Sequence, residues 1–211
     1  LDPIHVGHVA TALAARDALD LTTVVMLPSR VPPHRQQGPS ASAWHRFAMA
    51  ALAVNDLRDV TVSDEELSSD GPSYTALTLE RMAARGLRPT QLFFITGADA
   101  FAEIETWYRY PAVLELAHFV VISRPGAPAG SIRDRLPRLG PRLRPAEHGM
   151  AIPSEPSVFL VDAKTPDVSS TDIRRRLRAH ESITGLVPPS VERHIDRHKL
   201  YAETRTADQV R

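Results

Sequence analysis

The residues best suited to chemistry lie at the beginning of the chain, where His5 and His8 flank Gly7. Residues three positions apart share one face of a helix, so both imidazole rings can point the same way if a helix begins here. Gly7 has no Cβ, which lets a bulky anion approach the backbone, and a helix N-terminus adds free N–H groups and a partial positive charge. The spacing therefore favours a phosphate-binding turn, although two ordinary surface histidines would produce the same short pattern.

A second group of potential phosphate ligands starts at Ser169, where three consecutive hydroxyl residues precede Arg174. Ser169 and Asp172 have the spacing of a capping box, so a helix is expected to begin there, and a helix cap alone would also explain the pattern. The hydroxyls of Ser170 and Thr171 and the free amides of the helix can hold phosphate oxygens. A guanidinium can bind the same oxygens through two parallel hydrogen bonds.

Residues that could recognise a nucleoside or a ring follow another apolar run. Gly97 and Asp99 come directly after it, and an acidic group beyond a strand end can accept hydrogen bonds from ribose hydroxyls. Asp99 could equally cap a helix. Trp107 offers a flat face for stacking on an aromatic ligand, and the alternative for it is an ordinary core aromatic.

Alternating apolar runs and helical patterns must position these residues. Helices are expected at 6–19, 42–54, 73–85, 111–116, 170–179 and 189–197. Strands are expected at 22–27, 60–62, 92–95, 118–122 and 158–161, and residues 125–157 are expected to form a loop with one short helix near 131–136. Strands separated by helices predict an α/β fold with a parallel sheet, in which ligands bind at the carboxyl ends of the strands.

Composition excludes several classes of function. The 211 residues suffice for one sizeable core, and the formal net charge is zero, so binding to nucleic acid or membrane through bulk charge is not expected. The chain has no cysteine, which excludes disulfides, zinc–thiolate sites and thiol catalysis. No long apolar run or signal-peptide pattern is evident, so a cytoplasmic location is expected. The chain starts with Leu1 on a functional motif, and we expect residues upstream of it.

The His-x-Gly-His and Ser-Ser-Thr-x-x-Arg segments together resemble the nucleotidyltransferase superfamily and, within it, bacterial nicotinate-nucleotide adenylyltransferases. The resemblance runs from Asp2 to Tyr201 and includes the segments at 32–35, 44–46, 72–75, 97–99, 106–108 and 123–126. It implies a Rossmann-like parallel sheet with helices on both faces, in one domain over 1–211 with a helical C-terminal portion at 165–201. The family's Gly-Gly-Thr-Phe before Asp-Pro is absent, with Leu1 in the Phe place, so the glycine-rich turn and first strand are expected upstream.

The family reaction joins ATP to nicotinate mononucleotide and releases pyrophosphate, and the resemblance implies a role for each matching residue. The implied catalytic residues are His5, His8 and Arg174. The implied ATP-binding residues are Asp2, Gly7, Gly97, Asp99, Arg124, Ser170 and Thr171. The implied nicotinate mononucleotide-binding residues are Arg46, Tyr74, Thr75, Trp107 and Tyr108, with Arg35 as a weaker candidate. Mg²⁺ is expected to be held mainly by the ATP phosphates rather than by a dedicated carboxylate cage.

Four alternatives remain open on the sequence alone. An adenylyltransferase acting on phosphopantetheine would lack His5 and the Trp107-Tyr108 segment, whereas one acting on nicotinamide mononucleotide differs only in the carboxylate pocket. A nucleotide sensor could keep the fold and lose the phosphate-binding groups. An RNA-binding relative is disfavoured by zero net charge and by the lack of a basic patch interleaved with aromatic residues.

Overall fold

The computed structural model of the chain describes residues 1–32, 38–69 and 71–202. The α-helices of this part are α1 (Val6–Leu19), α2 (Ala43–Val54), α3 (Thr75–Ala84), α4 (Ala98–Phe101), α5 (Ile132–Arg135), α6 (Ser170–Arg178) and α7 (Pro189–His198). The strands are β1 (Val24–Met26), β2 (Val60–Val62), β3 (Phe93–Gly97), β4 (His118–Ile122), β5 (Leu143–Pro145) and β6 (Val158–Val161). Short 3₁₀ helices lie at Pro89–Gln91, Ile104–Thr106, Ala112–Glu115, Ala129–Ser131 and Pro137–Arg142.

All strand pairs in the described residues are parallel, which confirms the predicted pairing. One sheet has the order β3-β4-β6-β5, and β1 pairs with β2 in a second sheet. In the first sheet Gly97 at the end of β3 lies opposite Ile122 at the end of β4, and Ile122 lies opposite Val161 at the end of β6. The carboxyl ends of three neighbouring strands therefore meet at one edge, where an α/β sheet binds ligands.

Strand β5 was not expected, because the sequence pattern predicts a loop over 125–157. β5 pairs with β6 from Leu143 to Pro145 at the edge of the sheet. It has three residues and ends in proline, which cannot donate to a ladder and is tolerated at sheet edges. A strand this short carries too little alternation to be distinguished from a loop by its sequence.

Strand β4 forms the centre of the core, with apolar side chains on both faces. Val120 and Ile122 share a cluster with residues of α1 such as Ala15. Phe119 and Val121 belong to a different cluster, as the two-residue period of a strand requires. That second cluster includes Phe101 of α4 and Ile132 of α5, so helices cover both faces of the sheet, as predicted.

A further core joins the small β1–β2 sheet to the C-terminal helices. Met49 of α2, Ile173 of α6 and Ile195 of α7 pack in it with Ile4, and each is at most 1% exposed. The segment before α1 is therefore held against both C-terminal helices. Within the described ranges, no helix is both long and apolar enough to cross a membrane.

Candidate active site

The two histidines at the start of α1 form a compact pair. His5 occupies the N-cap position with an extended backbone, and its backbone N–H donates to Nδ1 of His8 at 3.2 Å. The ring centroids lie 3.7 Å apart. Because Nδ1 of His8 accepts a hydrogen bond, a neutral His8 carries its proton on Nε2. The turn thus fixes the tautomer of His8, a side chain that remains partly exposed.

Both imidazoles stay neutral at physiological pH. Burial, together with a smaller effect of the positive charge of Arg124, lowers the pKa of His5 to about 3. Burial also holds the pKa of His8 well below its usual range. His5 is 1% exposed, and its Nδ1 atom has no hydrogen-bond partner among the described residues. The pair can therefore interact with an anion through N–H groups and not through full positive charge.

Gly7 is required by packing inside the turn. A Cβ at this position would lie 3.0 Å from Nδ1 of His5 and 3.3 Å from the carbonyl oxygen of Pro166. The sequence pattern predicts that the missing side chain leaves room for an anion. In the structure that space is already taken by the His5 ring and the Pro166 carbonyl, so any larger residue would push the ring out of place.

Helix α6 brings the second predicted segment against the first. The side chain of Ser169 caps the helix by accepting from the backbone N–H of Asp172 at 3.1 Å, as the capping-box pattern predicts. The Ser170 hydroxyl donates to the carbonyl oxygen of Pro3 at 2.8 Å. Arg174 donates through Nη2 to the Thr171 hydroxyl at 3.2 Å. The start of α6 therefore lies directly beside the residues that lead into His5.

The Asp2 carboxylate is an internal cross-link in this structure, whereas the sequence analysis expected it to bind ATP. It is 2% exposed and accepts the backbone N–H groups of Ser40 at 2.9 Å and Ala41 at 3.2 Å. The hydroxyl of Tyr201 donates to it at 2.9 Å. Burial alone would raise the pKa of Asp2, but these donors and the nearby Arg174 hold that pKa below its usual value.

Arg46 also has a structural position, although its motif implied contact with the mononucleotide phosphate. The side chain is 2% exposed. Its guanidinium donates to the carbonyl oxygens of Ser29 at 2.5 Å, Arg30 at 3.2 Å and Ala41 at 3.3 Å. A buried guanidinium bonded to three carbonyls stabilises the segments around α2. Arg35, the weaker phosphate candidate, lies outside the described residues.

Asp99, in the first turn of α4, and Arg124, in the loop after β4, both lie close to Gly97. A Cβ on Gly97 would lie 2.5 Å from Oδ1 of Asp99 and 3.1 Å from Cγ of Arg124, so a larger residue would displace both side chains. The N-cap of α4 is Gly97 itself, so the alternative role of Asp99 as the cap is wrong. Asp99 is exposed. Besides burial, the positive charge of Arg124 lowers the pKa of both His5 and His8, so Arg124 lies near the histidine turn.

The residues implied for the mononucleotide form an aromatic group on a neighbouring surface. The rings of Tyr74 and Tyr108 stack with centroids 4.6 Å apart, and Tyr108 is 44% exposed. Tyr74 is the N-cap residue of α3, which starts at Thr75. Trp107 packs its edge against Phe94 at 5.7 Å and joins the core beside β3 and β4, the alternative position considered for it. Tyr108 is the exposed member of this group, whereas Tyr74 and Trp107 are half-buried.

Comparison with known proteins identifies the family of this chain. The family model described as Cytidylyltransferase-like matches residues 1–176. A Desulfatibacillum aliphaticivorans protein named "Probable nicotinate-nucleotide adenylyltransferase" is 38% identical over 208 residues, which are 95% of each chain. A Pseudomonas syringae pv. tomato protein of the same name is 39% identical and is covered over 91% of its length. This chain belongs to the nicotinate-nucleotide adenylyltransferase family.

A solved structure of a more distant protein supports the same fold. The Plasmodium falciparum nicotinic acid mononucleotide adenylyltransferase, complexed with NaAD, aligns with a TM-score of 0.68 at 17% identity. The alignment covers 95% of this chain and 92% of that one. At this identity the likeness establishes a shared α/β architecture for the adenylyltransferase chain, in agreement with the fold expected from its sequence.

Two polar residues at the site edges were missed by the sequence analysis of this adenylyltransferase chain. Ser123 at the end of β4 donates its hydroxyl to Asp162 at 2.9 Å and accepts from the backbone N–H of Ala129. Tyr201, just beyond α7, reaches Asp2 across 199 residues of sequence. Ser123 could have been suspected from its position after a buried strand, but no local pattern identifies the partner of Tyr201.

Proposed function

We propose that this chain transfers the adenylyl group of ATP to nicotinate mononucleotide, a step of NAD biosynthesis. A phosphate oxygen of the mononucleotide attacks the α-phosphorus of ATP, and the bond from that phosphorus to the oxygen of the β-phosphate breaks. The products are nicotinate adenine dinucleotide and pyrophosphate. The nucleophile belongs to the substrate, so the enzyme contributes position and charge stabilisation rather than a covalent intermediate.

The observation that carries this proposal is the meeting of the two ends of the chain. The His5–His8 turn and the start of α6 are joined by the Ser170–Pro3 hydrogen bond and by Arg174, which donates to the carbonyl oxygen of Asp2 at 2.6 Å. We call His5, His8, Ser170, Thr171 and Arg174 the phosphate clamp. Neutral N–H donors, hydroxyls and a guanidinium at two adjoining helix N-termini, those of α1 and α6, suit a triphosphate.

Within the clamp, His8 is the residue that we assign to the transition state. Negative charge gathers on the α-phosphate oxygens and on the leaving pyrophosphate as the bond breaks. A donor whose orientation is fixed beforehand stabilises that charge without reorganisation at the moment of reaction. The hydrogen bond from His5 N–H to Nδ1 of His8 supplies such a fixed orientation and leaves Nε2 as the donor.

The other predicted ligands are assigned around the clamp. Asp99 is exposed and lies beyond the end of β3, where it can accept hydrogen bonds from the ribose of ATP. Arg124, in the loop after the neighbouring strand β4, is close enough to influence the histidine pair and suits the phosphates. The stacked Tyr74 and Tyr108, together with Trp107, are assigned to the pyridine ring.

The structure supports fewer contacts than the family pattern implied. Asp2 and Arg46 are bonded internally and are each 2% exposed, so neither is part of the proposed ligand contacts. Gly7 and Gly97 serve by lacking a Cβ. Thr75 starts α3, where its free backbone N–H can donate to the nicotinate carboxylate.

We include Mg²⁺ in this proposal as an ion carried by the substrate, since nucleotidyltransferases of this kind generally use a divalent metal. Within the described ranges, no group of three or more His, Cys, Asp or Glu residues could hold a metal ion. Mg²⁺ commonly keeps several waters and is bound by phosphates and one or two carboxylates, so such a cage is not needed. Bound there, it would neutralise phosphate oxygens during the reaction.

The partners in this proposal are the two small-molecule substrates, without nucleic acid or membrane. The Plasmodium relative was solved in complex with NaAD and, in a second structure, with APC, which supports substrates of this kind. Zero formal net charge argues against a protein that coats a polyanion. The reaction would take place in the cytoplasm, as the sequence analysis expects.

The proposal is tested by measuring pyrophosphate release from ATP with each mononucleotide in turn, and by identifying the dinucleotide by mass. Nicotinate mononucleotide should give pyrophosphate and nicotinate adenine dinucleotide in equal amounts. The amide form and phosphopantetheine should be turned over much more slowly. Absence of pyrophosphate with every acceptor would favour a nucleotide sensor, and equal turnover of the acid and the amide would contradict the proposed specificity.

A further inference from the structure

The Asp2 carboxylate receives donors from two different directions. The N–H groups of Ser40 and Ala41 come from the segment before α2. The Tyr201 hydroxyl comes from the end of the C-terminal helices and donates to Oδ1 at 2.9 Å. A carboxylate that is 2% exposed is costly to bury unless donors surround it, so each of these contacts helps to fix its position.

Asp2 is also bonded to the phosphate clamp through its main chain. Arg174 donates to the Asp2 carbonyl oxygen at 2.6 Å and lies 3.9 Å from the carboxylate. The next residue, Pro3, accepts the Ser170 hydroxyl. The Asp2–Pro3 segment is therefore the joint between the His5–His8 turn and α6, and a movement of Asp2 would change the position of Arg174 relative to His8.

Tyr201 reaches this joint because the chain turns sharply after α7. Lys199 and Tyr201 both adopt left-handed backbone conformations, with φ of 49° and 65°, which are uncommon for residues other than glycine. The ring of Tyr201 packs at the edge of the core that contains Ile4 and Ile195. Burial and the Asp2 charge raise the pKa of Tyr201 above its usual value, so the hydroxyl remains a donor throughout the working pH range.

We propose that Tyr201 is a positioning residue for the ATP side of the site, acting through its hydrogen bond to Asp2. This inference deepens the proposed function and depends on the clamp binding the triphosphate. Tyr201 does not touch the substrate. It holds the Asp2–Pro3 joint so that Arg174 and Ser170 face the same phosphates as His8, and a small displacement of such groups weakens binding strongly.

The test compares Tyr201→Phe with Tyr110→Phe in the full chain. Both changes remove a phenol hydroxyl that donates to a carboxylate, since Tyr110 donates to Glu105 at 3.4 Å on the surface. Three quantities are measured for each: the KM for ATP, the KM for nicotinate mononucleotide and the dissociation constant of a non-hydrolysable ATP analogue by calorimetry. Thermal unfolding of each variant is followed in parallel.

Tyr201→Phe should raise the KM for ATP and the dissociation constant of the ATP analogue about tenfold each. The KM for the mononucleotide should stay nearly unchanged, and the unfolding temperature should change little. Tyr110→Phe should change none of them. Unchanged ATP affinity in a folded Tyr201→Phe protein would overturn the proposal. So would an equal weakening of both substrates together with a large loss of stability, which is the result expected of a purely structural contact.

A second variant tests the same contact in case Tyr201→Phe does not fold. Asp2→Asn removes the charge and keeps the size of the side chain, and it should reproduce the selective loss of ATP affinity. If neither variant folds, the contact serves the fold and the proposal is wrong. If the wild-type chain binds the ATP analogue but forms no dinucleotide, the proposed function fails, whereas the role of Tyr201 is still decided by its effect on analogue affinity.

Discussion

The described residues include two groups of neighbouring histidines, and they differ in how their ring nitrogens are used. His5 and His8 stack at the start of α1, where a backbone N–H occupies Nδ1 of His8. His45, His194 and His198 lie between α2 and α7, with ring centroids 4.5 to 5.3 Å apart. We call these three the histidine cluster. In the cluster, Nδ1 of His45 and Nε2 of His194 face each other at 3.1 Å.

The two groups differ in what fixes their tautomers, and this difference is why we propose the turn rather than the cluster as the anion site. In the cluster the facing nitrogens of His45 and His194 bond to each other, and one must donate while the other accepts. In the turn the backbone fixes one nitrogen of His8 and leaves the other as a donor beside Arg124 and α6. The donor of His8 is therefore oriented by the backbone, whereas the tautomers of His45 and His194 are set by the hydrogen bond between the two rings.

The largest effect expected from this contrast concerns turnover. His8→Ala should lower kcat about a hundredfold or more, because it removes one fixed donor to the charge that develops in the transition state. His194→Ala removes a ring of the same kind from the histidine cluster and should leave kcat within about twofold, as expected away from the site. Steady-state pyrophosphate release measures both variants.

Two results would break the comparison. An unchanged rate in His8→Ala would remove His8 from the mechanism, and a large fall in kcat for His194→Ala would show that the histidine cluster contributes to the chemistry. Circular dichroism of both proteins checks that each remains folded. His8→Gln, which keeps an N–H donor, should recover part of the lost activity.

The same reasoning separates two adjacent arginines on α6. Arg174 donates to the Asp2 carbonyl beside the histidine turn, whereas Arg175 pairs with Asp172 and Glu181 on the exposed surface. Arg174→Ala should raise the KM for ATP about tenfold or more, the effect of losing a hydrogen bond made by a charged group. Arg175→Ala should have little effect on it. Equal effects would indicate that general positive charge on α6 matters rather than the clamp geometry.

Local patterns predicted the secondary structure well and the long-range contacts poorly. The first helix was expected at 6–19 and is observed at Val6–Leu19, since the apolar pattern and the following loop define both ends. The Ser169 cap involves residues three positions apart and was also predicted. Family resemblance, rather than any local pattern, predicted that the two ends of the chain meet. The assignment of 1–211 to one domain and the ligand contacts of individual residues stay predictions.

Two residues expected to contact ligands have internal partners that no local pattern reveals. Arg46 was expected to bind the phosphate of the mononucleotide because its motif implied that role. In the structure its guanidinium donates to the carbonyl groups of Ser29, Arg30 and Ala41. Asp2 was expected to bind ATP, and one of its donors is Tyr201. A buried charge takes its partners from whichever segments the fold brings near, and hydrogen bonds between distant segments leave no periodicity in the sequence.

The turn should contribute more than the histidine cluster to the pH dependence of the chain's free energy of unfolding. The pKa of His5 falls from its usual value to about 3 in the folded chain. The unfolded chain therefore takes up a proton below pH ~6.5 that the folded chain does not bind, and stability is lost as the pH falls below that value. Between pH 7.5 and 5.5 this loss is about 1.4 kcal/mol for one such histidine.

His5→Gln should remove the contribution of His5 to this loss of unfolding free energy between pH 7.5 and 5.5, which is measured by urea unfolding at the two pH values. His194→Gln should reduce the loss by a smaller amount. The pKa of His194 is also lowered, by burial and then by His198 and His45, but His194 is more exposed than His5. Taking the difference within each variant cancels any change in overall stability. If both substitutions reduced the pH dependence of the unfolding free energy equally, His5 and His194 would be buried to a similar degree.

The smallest expected effect is the pH dependence of the contribution that His8 makes to ATP binding. Burial holds the pKa of His8 well below its usual range, so between pH 8 and pH 6 its ring stays neutral and donates through Nε2. The ratio of ATP-analogue affinities of the wild type and His8→Gln should therefore stay constant over this range. Use of the ratio removes the titration of the nucleotide itself, since both proteins bind the same ligand. A ratio that rose about tenfold by pH 6 would mean that His8 binds phosphate as a cation, and the contrast with the histidine cluster would then depend on charge rather than on hydrogen-bond geometry.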